Sequence, residues 1–428
     1  MKPNAQHTDT SVLNTGPQRT GSSCRFCNTP LRHTFVDLGM SPLCQNRIKP
    51  EQLQEMEPFY PLHVYVCHSC FLVQLNEIVS PMEIYKDYAY FSSYSDSWLE
   101  HCKAYVEMMV EKFTFNKDHF VVELASNDGY LLQYFKQKGI PLLGIEPAAN
   151  AAKLAEEKGI ESWVKFFGRD TAREIVQRKG KADLILGNNV LAHVPDINDF
   201  VGGMKVLLAP SGLITMEFPH LLNLVQYNQF DTIYHEHYSY LSLYTVEKIF
   251  SEHGLHLFDV EELPTHGGSI RIYAQHQESG VHTQTTRYQA ILKRELDAGI
   301  DQLTYYSAFT EQVKATKRRI LSFLISAKES GKTVVGYGAP GKGNTLLNYC
   351  GIGTDFLDFT VDRNPYKQGH FLPGSHIPIL HPDAIRQARP DYVLILPWNL
   401  KDEIMQQLSY IQDWGGRFVL PIPELSIA

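Results

Sequence analysis

The segment Phe120–Pro147 reads FVVELASNDGYLLQYFKQKGIPLLGIEP in a chain of 428 residues. Its pattern predicts four consecutive elements: a strand over Phe120–Leu124, a turn over Ala125–Gly129, a helix over Tyr130–Lys138 and a second strand over Leu142–Ile145. Short apolar runs that alternate with a helical pattern are typical of a βαβ unit in a parallel sheet. Ligands of such sheets bind beyond the carboxyl ends of the strands, next to the first strand-to-helix turn. We therefore expect a ligand at this turn.

The residues of this turn favour a nucleoside that carries a positive charge. A pyrophosphate cofactor requires a G-x-G-x-x-G turn, so that its phosphates lie against a helix N-terminus. This turn has a single glycine and follows Glu123, an acid that repels phosphate and suits an ammonium or sulfonium group. Glu146, after the second strand, is placed to accept hydrogen bonds from a ribose diol. Together they predict S-adenosylmethionine (SAM) and a methyltransferase, with an unliganded βαβ unit as the alternative.

Composition and charge place the chain among globular proteins of two or three domains. Hydrophobic residues at 43% and charged residues at 20% are ordinary for this class. The net charge of −8 gives no electrostatic reason to expect a nucleic-acid partner. No apolar run approaches the ~18 residues of a membrane span, and residues 1–23 lack the apolar core of a secretory signal. We expect a disordered tail over 1–23, a cytoplasmic location and no membrane partner; the sequence leaves the oligomeric state open, with a monomer as one possibility.

Two C-x-x-C pairs, Cys24 with Cys27 and Cys67 with Cys70, predict a zinc-binding module over residues 24–95. Four thiolates close a tetrahedral Zn²⁺ site and leave no position for water, so such a site is structural. An odd total of seven cysteines fits a reducing compartment and metal binding better than a disulfide framework. Two unrelated redox pairs are the alternative.

The segment that follows the second cysteine pair is unusually rich in tyrosine and serine, and includes Tyr88 and Tyr90. One interpretation is a loop that presents hydroxyl groups to a polar substrate. The alternative is a loop or sheet edge with solvated tyrosines.

Another buried strand is predicted from Ala182 to Asn188-Asn189 in the central domain, residues 96–275. Its end, Asn188-Asn189, suits the fourth strand of a SAM-binding sheet, whose loop flanks the methionine part of the ligand. His193, just beyond, is either a catalytic residue or a core or capping histidine. The residues expected to contact SAM are Glu123, Ala125, Ser126, Asn127, Gly129, Glu146, Pro147, Phe167, Asn188 and Asn189.

The strongest catalytic signal is the segment Asp231–Tyr240, DTIYHEHYSY. If the segment is extended, alternate residues share a face, which puts Tyr234 with Glu236 on one side and His235 with His237 on the other. A histidine beside a carboxylate and a phenol suits proton abstraction, because it titrates near neutral pH. A metal site, which would lack a third ligand, and a polar loop packed on the zinc module are the alternatives.

The C-terminal domain, residues 276–428, is predicted to start with a helical connector and to contain a second strand–turn–helix unit. Gly336, Gly338 and Gly341 match the dinucleotide fingerprint, and Asp362 lies about where the ribose acid is expected. Gly343 replaces the Ser or Thr of a P-loop. Taken alone the turn suggests NAD, although another nucleotide diphosphate fits as well.

Three modules in this order resemble the sugar C-methyltransferases of deoxysugar biosynthesis, specifically the 3-C-methyltransferases of dTDP-4-keto-deoxysugars. The resemblance covers nearly everything after residue 23. It rests on four motifs: DYAYFS from Asp87, YHEHYSYL from Tyr234, HGGSIR from His266 and GYGAPGKG from Gly336. It implies an α/β protein, with a class I SAM-dependent methyltransferase (Rossmann-like) domain between a small N-terminal zinc-binding module and a second Rossmann-like domain.

The resemblance also implies roles for individual residues. His237 would be the general base, with Tyr88, Tyr234, Glu236 and His193 around the reacting centre, and the four cysteines would hold zinc. The last domain would bind the nucleotide diphosphate rather than NAD. Residues expected to bind the nucleotide sugar are Tyr90, Ser269, Arg271, Tyr337, Gly338, Ala339, Lys342, Gly343, Asn344, Asp362 and Lys367.

The implied reaction is methylation of C3 of a nucleotide-linked 4-keto-deoxysugar through an enolate, a step of deoxysugar and antibiotic biosynthesis. Two alternatives remain open from the sequence. One is an O- or N-methyltransferase acting on a sugar or natural product. The other is an NAD-dependent enzyme that uses the Gly336–Gly341 loop.

Overall fold

The computed structural model describes residues 22–76, 79–80, 82 and 91–428. These residues form three sheets, of four, seven and six strands. The predicted tail lies almost wholly outside the described residues, and so do Tyr88 and Tyr90.

The N-terminal sheet is antiparallel and holds the two cysteine pairs together at one end. Its first three strands are β1 (His33–Ser41), β2 (Tyr60–Val66) and β3 (Val73–Leu75). The sheet has a fourth strand, β9 (Ser239–Tyr240), which pairs with β3 and comes from the central part of the chain. The segment expected to carry the catalytic base is therefore attached to the cysteine module.

The central sheet has the order β10-β11-β8-β7-β4-β5-β6. Strands β4 to β8 are mutually parallel, and β11 and β10 form an antiparallel hairpin at one edge. The strand expected over Leu142–Ile145 is confirmed to the residue as β5. The bounds are β4 (Val121–Leu124), β5 (Leu142–Ile145), β6 (Ser162–Trp163), β7 (Ala182–Asn188), β8 (Leu208–Pro219), β10 (Leu255–Leu263) and β11 (Ser269–His276).

The C-terminal sheet has the order β14-β13-β12-β15-β16-β17, parallel except for β17. Its glycine-rich turn follows β12, between β13 and β15, which is where ligands of open α/β sheets bind. The bounds are β12 (Val334–Tyr337), β13 (Thr360–Val361), β14 (Ile379–Leu380), β15 (Tyr392–Ile395), β16 (Arg417–Leu420) and β17 (Ser426–Ile427).

Helices cover both faces of the two larger sheets and begin at capping residues where the sequence supplies them. The first of the long helices starts at Asp96, because the Ser95 side chain accepts a hydrogen bond from the Trp98 N–H. None of the described helices is long and apolar enough to cross a membrane. The helices span Asp96–Phe113, Leu132–Gln137, Ala149–Glu157, Arg169–Lys179, Ile197–Leu207, Leu221–Gln226, Leu243–Glu252, Thr286–Ala298, Leu303–Ser307, Phe309–Glu329, Gly341–Cys350, Asp383–Ala388 and Lys401–Gln407.

The cores cross the expected domain boundaries. The helix Thr286–Ala298 packs on β10, and its Tyr288 belongs to the core of the central sheet. In the cysteine module, Phe35 stacks on Phe309 of the long connector helix with ring centroids 4.4 Å apart. The module therefore shares a core with the C-terminal domain, and the three sheets form one packed unit.

Candidate active site

A cleft of about 1100 Å³ lies between the three sheets. Its wall includes Gln45 of the cysteine module, Glu146 of the central domain and Lys342 of the C-terminal domain. Sites for a single small ligand typically measure roughly 300–1,000 Å³. The cleft therefore has room for two ligands side by side.

The turn after β4 brings backbone to the cleft in a conformation that few residues adopt. Ala125, Asn127 and Gly129 have positive φ angles of 57°, 48° and 74°. A Cβ atom on Gly129 would lie 2.5 Å from the Ile160 side chain, so the third position requires glycine for space as well as for conformation.

Glu146 ties this turn to the end of β5. Its carboxylate accepts hydrogen bonds from the N–H groups of Asn127 and Ala148, both at 2.8 Å. Burial raises the pKa of Glu146 to about 7, against the lowering effect of these two bonds. The side chain lines the cleft, so its carboxylate is available as an acceptor for a ribose diol.

Seven of the ten residues expected to contact SAM line the cleft: Ala125, Asn127, Glu146, Pro147, Phe167, Asn188 and Asn189. The other three, Glu123, Ser126 and Gly129, do not line it. Glu123 is fully buried against Tyr130, and burial raises the pKa of its carboxyl well above the usual value. Glu123 and the buried Ser126 do not line the cleft, so their direct contact with SAM stays a prediction.

The end of β7 presents polar atoms to the cleft. Asn189 has a φ of 55°, and its side-chain Nδ2 donates to Nε2 of His266 at 3.0 Å. Asn188 Nδ2 and Asn189 Oδ1 are buried with no hydrogen-bond partner among the described residues. Such atoms are costly unless a ligand or water pairs with them, so they fit a polar ligand.

The segment around His237 is a turn, and the expected alternation of faces along an extended strand is wrong. It follows the 3-10 helix Phe230–Thr232, and the His237 N–H donates to the Tyr234 carbonyl at 2.9 Å. The turn places the Tyr234 ring 4.0 Å from the His237 ring, on the same side. His235 instead packs on Tyr60 of the cysteine module.

His237 is held in one tautomer. Its Nδ1–H donates to the Thr232 carbonyl at 2.8 Å, which leaves Nε2 as the acceptor nitrogen. The His193 ring stands edge-on to it, with centroids 4.7 Å apart. Desolvation lowers the pKa of His237 well below its usual value, helped by His193. The imidazole is therefore neutral at neutral pH, and both residues line the cleft as expected.

Glu236 also lines the cleft, beside a buried cysteine that belongs to neither C-x-x-C pair. Cys44 of the cysteine module lies with its Sγ 3.7 Å from Glu236 Oε1. Burial raises the pKa of Glu236 to about 7. The cysteine module thus contributes directly to the surroundings of the reacting centre.

Among the residues expected to bind a nucleotide sugar, Lys342, Asp362 and Lys367 line the cleft. Asp362 accepts from the Ala339 N–H at 2.8 Å and pairs with Lys367 at 3.1 Å. Tyr337 is buried with its hydroxyl on Gln407. The remaining residues of the turn, Gly338, Ala339, Gly343 and the buried Asn344, shape the backbone next to β12 and β15.

Ser269 and Arg271 lie in β11 and do not line the cleft. Arg271 is buried, with its guanidinium 2.7 Å from Glu217 and stacked over Tyr105. The Ser269 hydroxyl donates to the Thr265 carbonyl. The expected substrate cation is therefore an internal ion-pair partner, and the prediction that these two residues bind the substrate is not supported by their position.

The four predicted zinc ligands come together. Their sulfur atoms all lie within 4.8 Å of one another, with Cys24–Cys70 and Cys27–Cys67 both at 3.5 Å. Tetrahedral zinc at about 2.3 Å from each sulfur would place the sulfurs roughly 3.8 Å apart. The Gln74 side chain donates to Cys24 Sγ at 3.1 Å. The donor set and its spacing therefore fit a structural zinc ion.

Sequence reasoning misses several residues of the cleft wall because they come from segments far apart in the chain. His266 has some signal, since its motif was noted without a role for this residue. The others are ordinary residue types in loops and helices. The additional residues are Gln45, Trp98, His101, Thr232, His266, Pro397 and Asn399.

Comparison with known proteins assigns each part of the chain. Residues 24–85 match a family model described as "Putative zinc binding domain", 99–260 one described as "Methyltransferase domain", and 264–423 one described as "C-methyltransferase C-terminal domain". The C-methyltransferase NovU of Streptomyces niveus is 37% identical over 94% of this chain and 95% of its own length. The chain belongs to this C-methyltransferase family.

Two further similarities cover only part of this C-methyltransferase. A ubiquinone biosynthesis O-methyltransferase of Rhodopseudomonas palustris is 25% identical over 22% of this chain and 38% of that protein. The SAM-bound magnesium protoporphyrin IX methyltransferase of Synechocystis aligns with a TM-score of 0.33 and 15% identity over 45% of this chain and 88% of that one. The protein is a SAM-dependent methyltransferase of the class I fold, with a cysteine-rich N-terminal domain whose four clustered thiols could hold a metal ion.

Proposed function

We propose that this C-methyltransferase methylates C3 of a nucleotide-linked 4-keto-deoxysugar, of the dTDP type, through an enolate and with His237 as the general base. The observation that carries the proposal is the tautomer of His237. Its Nδ1–H is engaged by the Thr232 carbonyl, so Nε2 is left as a neutral acceptor in a cleft that also holds the SAM turn.

The chemistry follows from the acidity of a carbon next to a ketone. His237 Nε2 takes the C3 proton, and the electrons of the C–H bond form the C3–C4 double bond of an enolate. A positioned base of this kind contributes ~10²–10⁴-fold. Because desolvation keeps the pKa of His237 low, the histidine is already unprotonated at neutral pH. It does not have to lose a proton before it can act as a base.

Tyr234 and His193 flank the base and keep water away from it. Their rings lie 4.0 Å and 4.7 Å from that of His237. Burial lowers the pKa of His193 to about 4, so it is neutral and able to donate a hydrogen bond from its N–H. Tyr88, which lies outside the described residues, remains a proposed member of this group.

SAM, when bound, supplies an electrophilic methyl group that the enolate carbon takes, which restores the ketone. On the protein side, Glu146 and Asn127 would hold the ribose end of the ligand. Asn188 and Asn189 would pair with its polar groups through the buried atoms that have no partner in the described part of the chain. Orienting both reactants in one cleft can remove roughly 7–11 kcal/mol of the barrier.

The wall formed by Asp362, Asn364 and Lys367 would hold the nucleotide part of the substrate. Such a handle is remote from the reacting carbon, and its binding energy serves to position the sugar. The four cysteines would hold zinc in a purely structural role. Metal analysis of the purified protein tests that assignment, with one zinc per chain expected and none in a variant that carries Cys24→Ser and Cys67→Ser.

Methyl transfer from labelled SAM to a panel of dTDP-4-keto-deoxysugars tests the proposed reaction. Mass spectrometry is expected to show one added methyl group, located on carbon by fragmentation. Methylation on oxygen or nitrogen would replace the C-methyl proposal for this substrate. SAM binding without transfer to any ketosugar in the panel would overturn the proposed substrate class.

Replacing the base gives the sharpest test of mechanism. His237→Asn is expected to lower turnover by ~10²–10⁴-fold while SAM affinity stays within about threefold, as measured by calorimetry. The exposed His381→Asn serves as the matched control and should leave both unchanged. An equally large loss of SAM affinity in His237→Asn would remove His237 from the base role.

A further inference from the structure

Lys342 is a cleft lysine whose charge is not neutralised by an adjacent carboxylate. Its ammonium donates to the amide oxygen of Asn399 at 2.9 Å and lies 4.8 Å from the centre of the Trp398 ring. Burial lowers the pKa of Lys342, and the negative charge of Asp231 acts against this and raises it. Asp231 does not form a hydrogen bond with the ammonium; its Oδ2 accepts one from Trp398 Nε1 at 2.7 Å. No carboxylate of the described residues lies within ion-pair distance of Lys342. A poorly solvated ammonium of this kind favours an anionic ligand.

The other lysine contributed to the cleft by this domain is used differently. Lys367 pairs with Asp362 and also donates to the Ala339 carbonyl, both at 3.1 Å. Its charge is therefore neutralised within the C-terminal domain. The two lysines therefore differ in whether a carboxylate neutralises the ammonium charge, and only the charge of Lys342 remains to stabilise a newly formed anion.

The helix start that carries Lys342 packs on the turn that carries His237. The Thr345 hydroxyl donates to the Ile233 carbonyl at 2.8 Å. A Cβ atom on Gly341 would lie 3.7 Å from the Tyr234 ring and 3.0 Å from Cys44 Sγ. Gly341, the residue before Lys342, therefore lies against the turn that carries His237.

The Trp398 ring beneath the ammonium reaches the loop of His266. A Cβ atom on Gly267 would lie 2.5 Å from the edge of that ring. In agreement with this position, the positive charge of Lys342 contributes to the lowered pKa of both His237 and His266. Lys342 thus faces the part of the cleft where the proposed base removes a proton.

We propose that Lys342 is a catalytic residue that stabilises the enolate oxygen, and that it does not bind the diphosphate. This inference rests on the proposed function. When His237 Nε2 takes the C3 proton, the electron pair of the C–H bond moves into the C3–C4 bond and negative charge collects on the oxygen at C4. The Lys342 ammonium donates a hydrogen bond to that oxygen. When C3 takes the methyl group, the C3–C4 π pair forms the new C–C bond, and the pair of the S–CH3 bond would leave on the sulfur of the methyl donor. An oxygen lone pair then reforms the C4 ketone, and Lys342 keeps its proton.

The position of the ammonium makes this stabilisation effective. Asn399 and Trp398 hold it before the substrate arrives, so no reorientation is needed as the charge develops. The charge appears only after proton removal, so the contact strengthens from ground state to transition state. Loss of the ammonium is therefore expected to slow proton removal and to leave ground-state binding of the nucleotide almost unchanged.

Lys342→Met and Lys342→Arg test the proposal, with the exposed Lys314→Met on the long connector helix as the control. Three quantities are measured for each protein. The first is kcat for methyl transfer to the ketosugar that the wild-type protein accepts, and the second is the Kd for dTDP by calorimetry. The third is the exchange rate of the sugar C3 proton with deuterated water, measured with S-adenosylhomocysteine in place of SAM. Lys342→Met is expected to lose ~10²–10³-fold in kcat and in exchange, with the Kd for dTDP within about threefold. Lys342→Arg retains the charge and is expected to lose about tenfold or less in kcat.

The outcomes separate the two roles of the lysine. A loss of tenfold or more in dTDP affinity with exchange retained would assign Lys342 to the diphosphate and overturn the proposal. Wild-type rates of exchange and of kcat in Lys342→Met would overturn it as well. Equal losses in the Met and Arg variants would show that shape rather than charge matters, and would also overturn it. Failure of the wild-type protein to methylate any ketosugar is a different result, because it refutes the proposed function before any variant is compared.

Discussion

The turn after β4 and the turn after β12 are built on the same plan and differ in charge. Each follows a buried four-residue strand at the middle of a parallel sheet and faces the same cleft. In each, an acid after the neighbouring strand binds the turn through its backbone: Glu146 accepts from Asn127 N–H and Asp362 accepts from Ala339 N–H, both at 2.8 Å.

The difference lies in what else surrounds the two acids. Glu146 has no ion-pair partner among the described residues, and burial raises its pKa to about 7. Asp362 pairs with Lys367 at 3.1 Å. The first acid is free to accept bonds from a ribose, whereas the second is occupied within the protein. The same framework therefore carries an acid without an ion-pair partner in one sheet and an ion-paired acid in the other, and a glycine pattern alone does not distinguish them.

The largest effect is expected from a substitution that distorts the turn after β4 and leaves the turn after β12 unchanged. Gly129→Ala forces a side chain into a φ of 74° and to 2.5 Å from Ile160. We expect SAM affinity to fall about 100-fold, equivalent to ~2.7 kcal/mol, and dTDP affinity to stay within about twofold. Gly139→Ala is the matched control, because Gly139 has a φ of 68° and no atom within 4 Å of its added Cβ. Calorimetry with each ligand measures both, and an equal loss in the control would attribute the effect to backbone strain alone.

A smaller effect concerns the charge of Glu146. Its carboxylate form accepts the bonds that hold the turn and the ligand, and its raised pKa of about 7 means that this form is lost as pH falls through neutrality. We expect the Kd for SAM to rise about tenfold between pH 7.5 and pH 6. Glu146→Gln should bind SAM more weakly at pH 7.5 and show little change with pH. A wild-type profile as flat as that of the variant would contradict this role for Glu146.

The second turn is expected to be less sensitive. Gly338→Ala places a Cβ 2.5 Å from Pro397 at a φ of 92°. Because this wall contacts the nucleotide as one surface among several, we expect about a fivefold loss of dTDP affinity and no change in SAM affinity. Gly351→Ala, with a φ of 73° and open space around it, is the control. Weaker SAM binding in Gly338→Ala would show that the two turns do not act independently.

The smallest effect concerns a tether of the first turn. The Lys158 ammonium donates to the Asp128 carbonyl and to the Ser93 hydroxyl, both at 2.8 Å. The side chain is about one-third exposed, so solvent screens its charge. Lys158→Met is expected to weaken SAM binding about two- to threefold, with the exposed Lys153→Met as the control. A tenfold loss would mean that the tether fixes the turn more strongly than its exposure suggests.

Local patterns predict the elements of this protein well and the cleft only in part. The strand Leu142–Ile145, the cysteine cluster and the place of Glu146 depend on short-range spacing, which the sequence displays directly. The turn at Tyr234–His237 does not, because its conformation is set by one backbone hydrogen bond and by packing against a distant module. Arg271 was expected to bind substrate from the family resemblance. The sequence does not display its ion pair with Glu217, which lies 54 positions away in the chain. Long-range pairing of this kind leaves no local signal.

Trp398 has a consequence for recombination between relatives. It belongs to the C-terminal domain, yet its indole N–H binds Asp231 and its ring fills the space above Gly267, two residues of the central domain. A chimera that exchanged everything after residue 276 would place the relative's residue at position 398 against the original Asp231 and Gly267. Crossovers intended to alter acceptor preference must therefore exchange residues 231 and 267 together with 398. The segment that has to be exchanged to transfer the cleft is larger than the C-terminal domain.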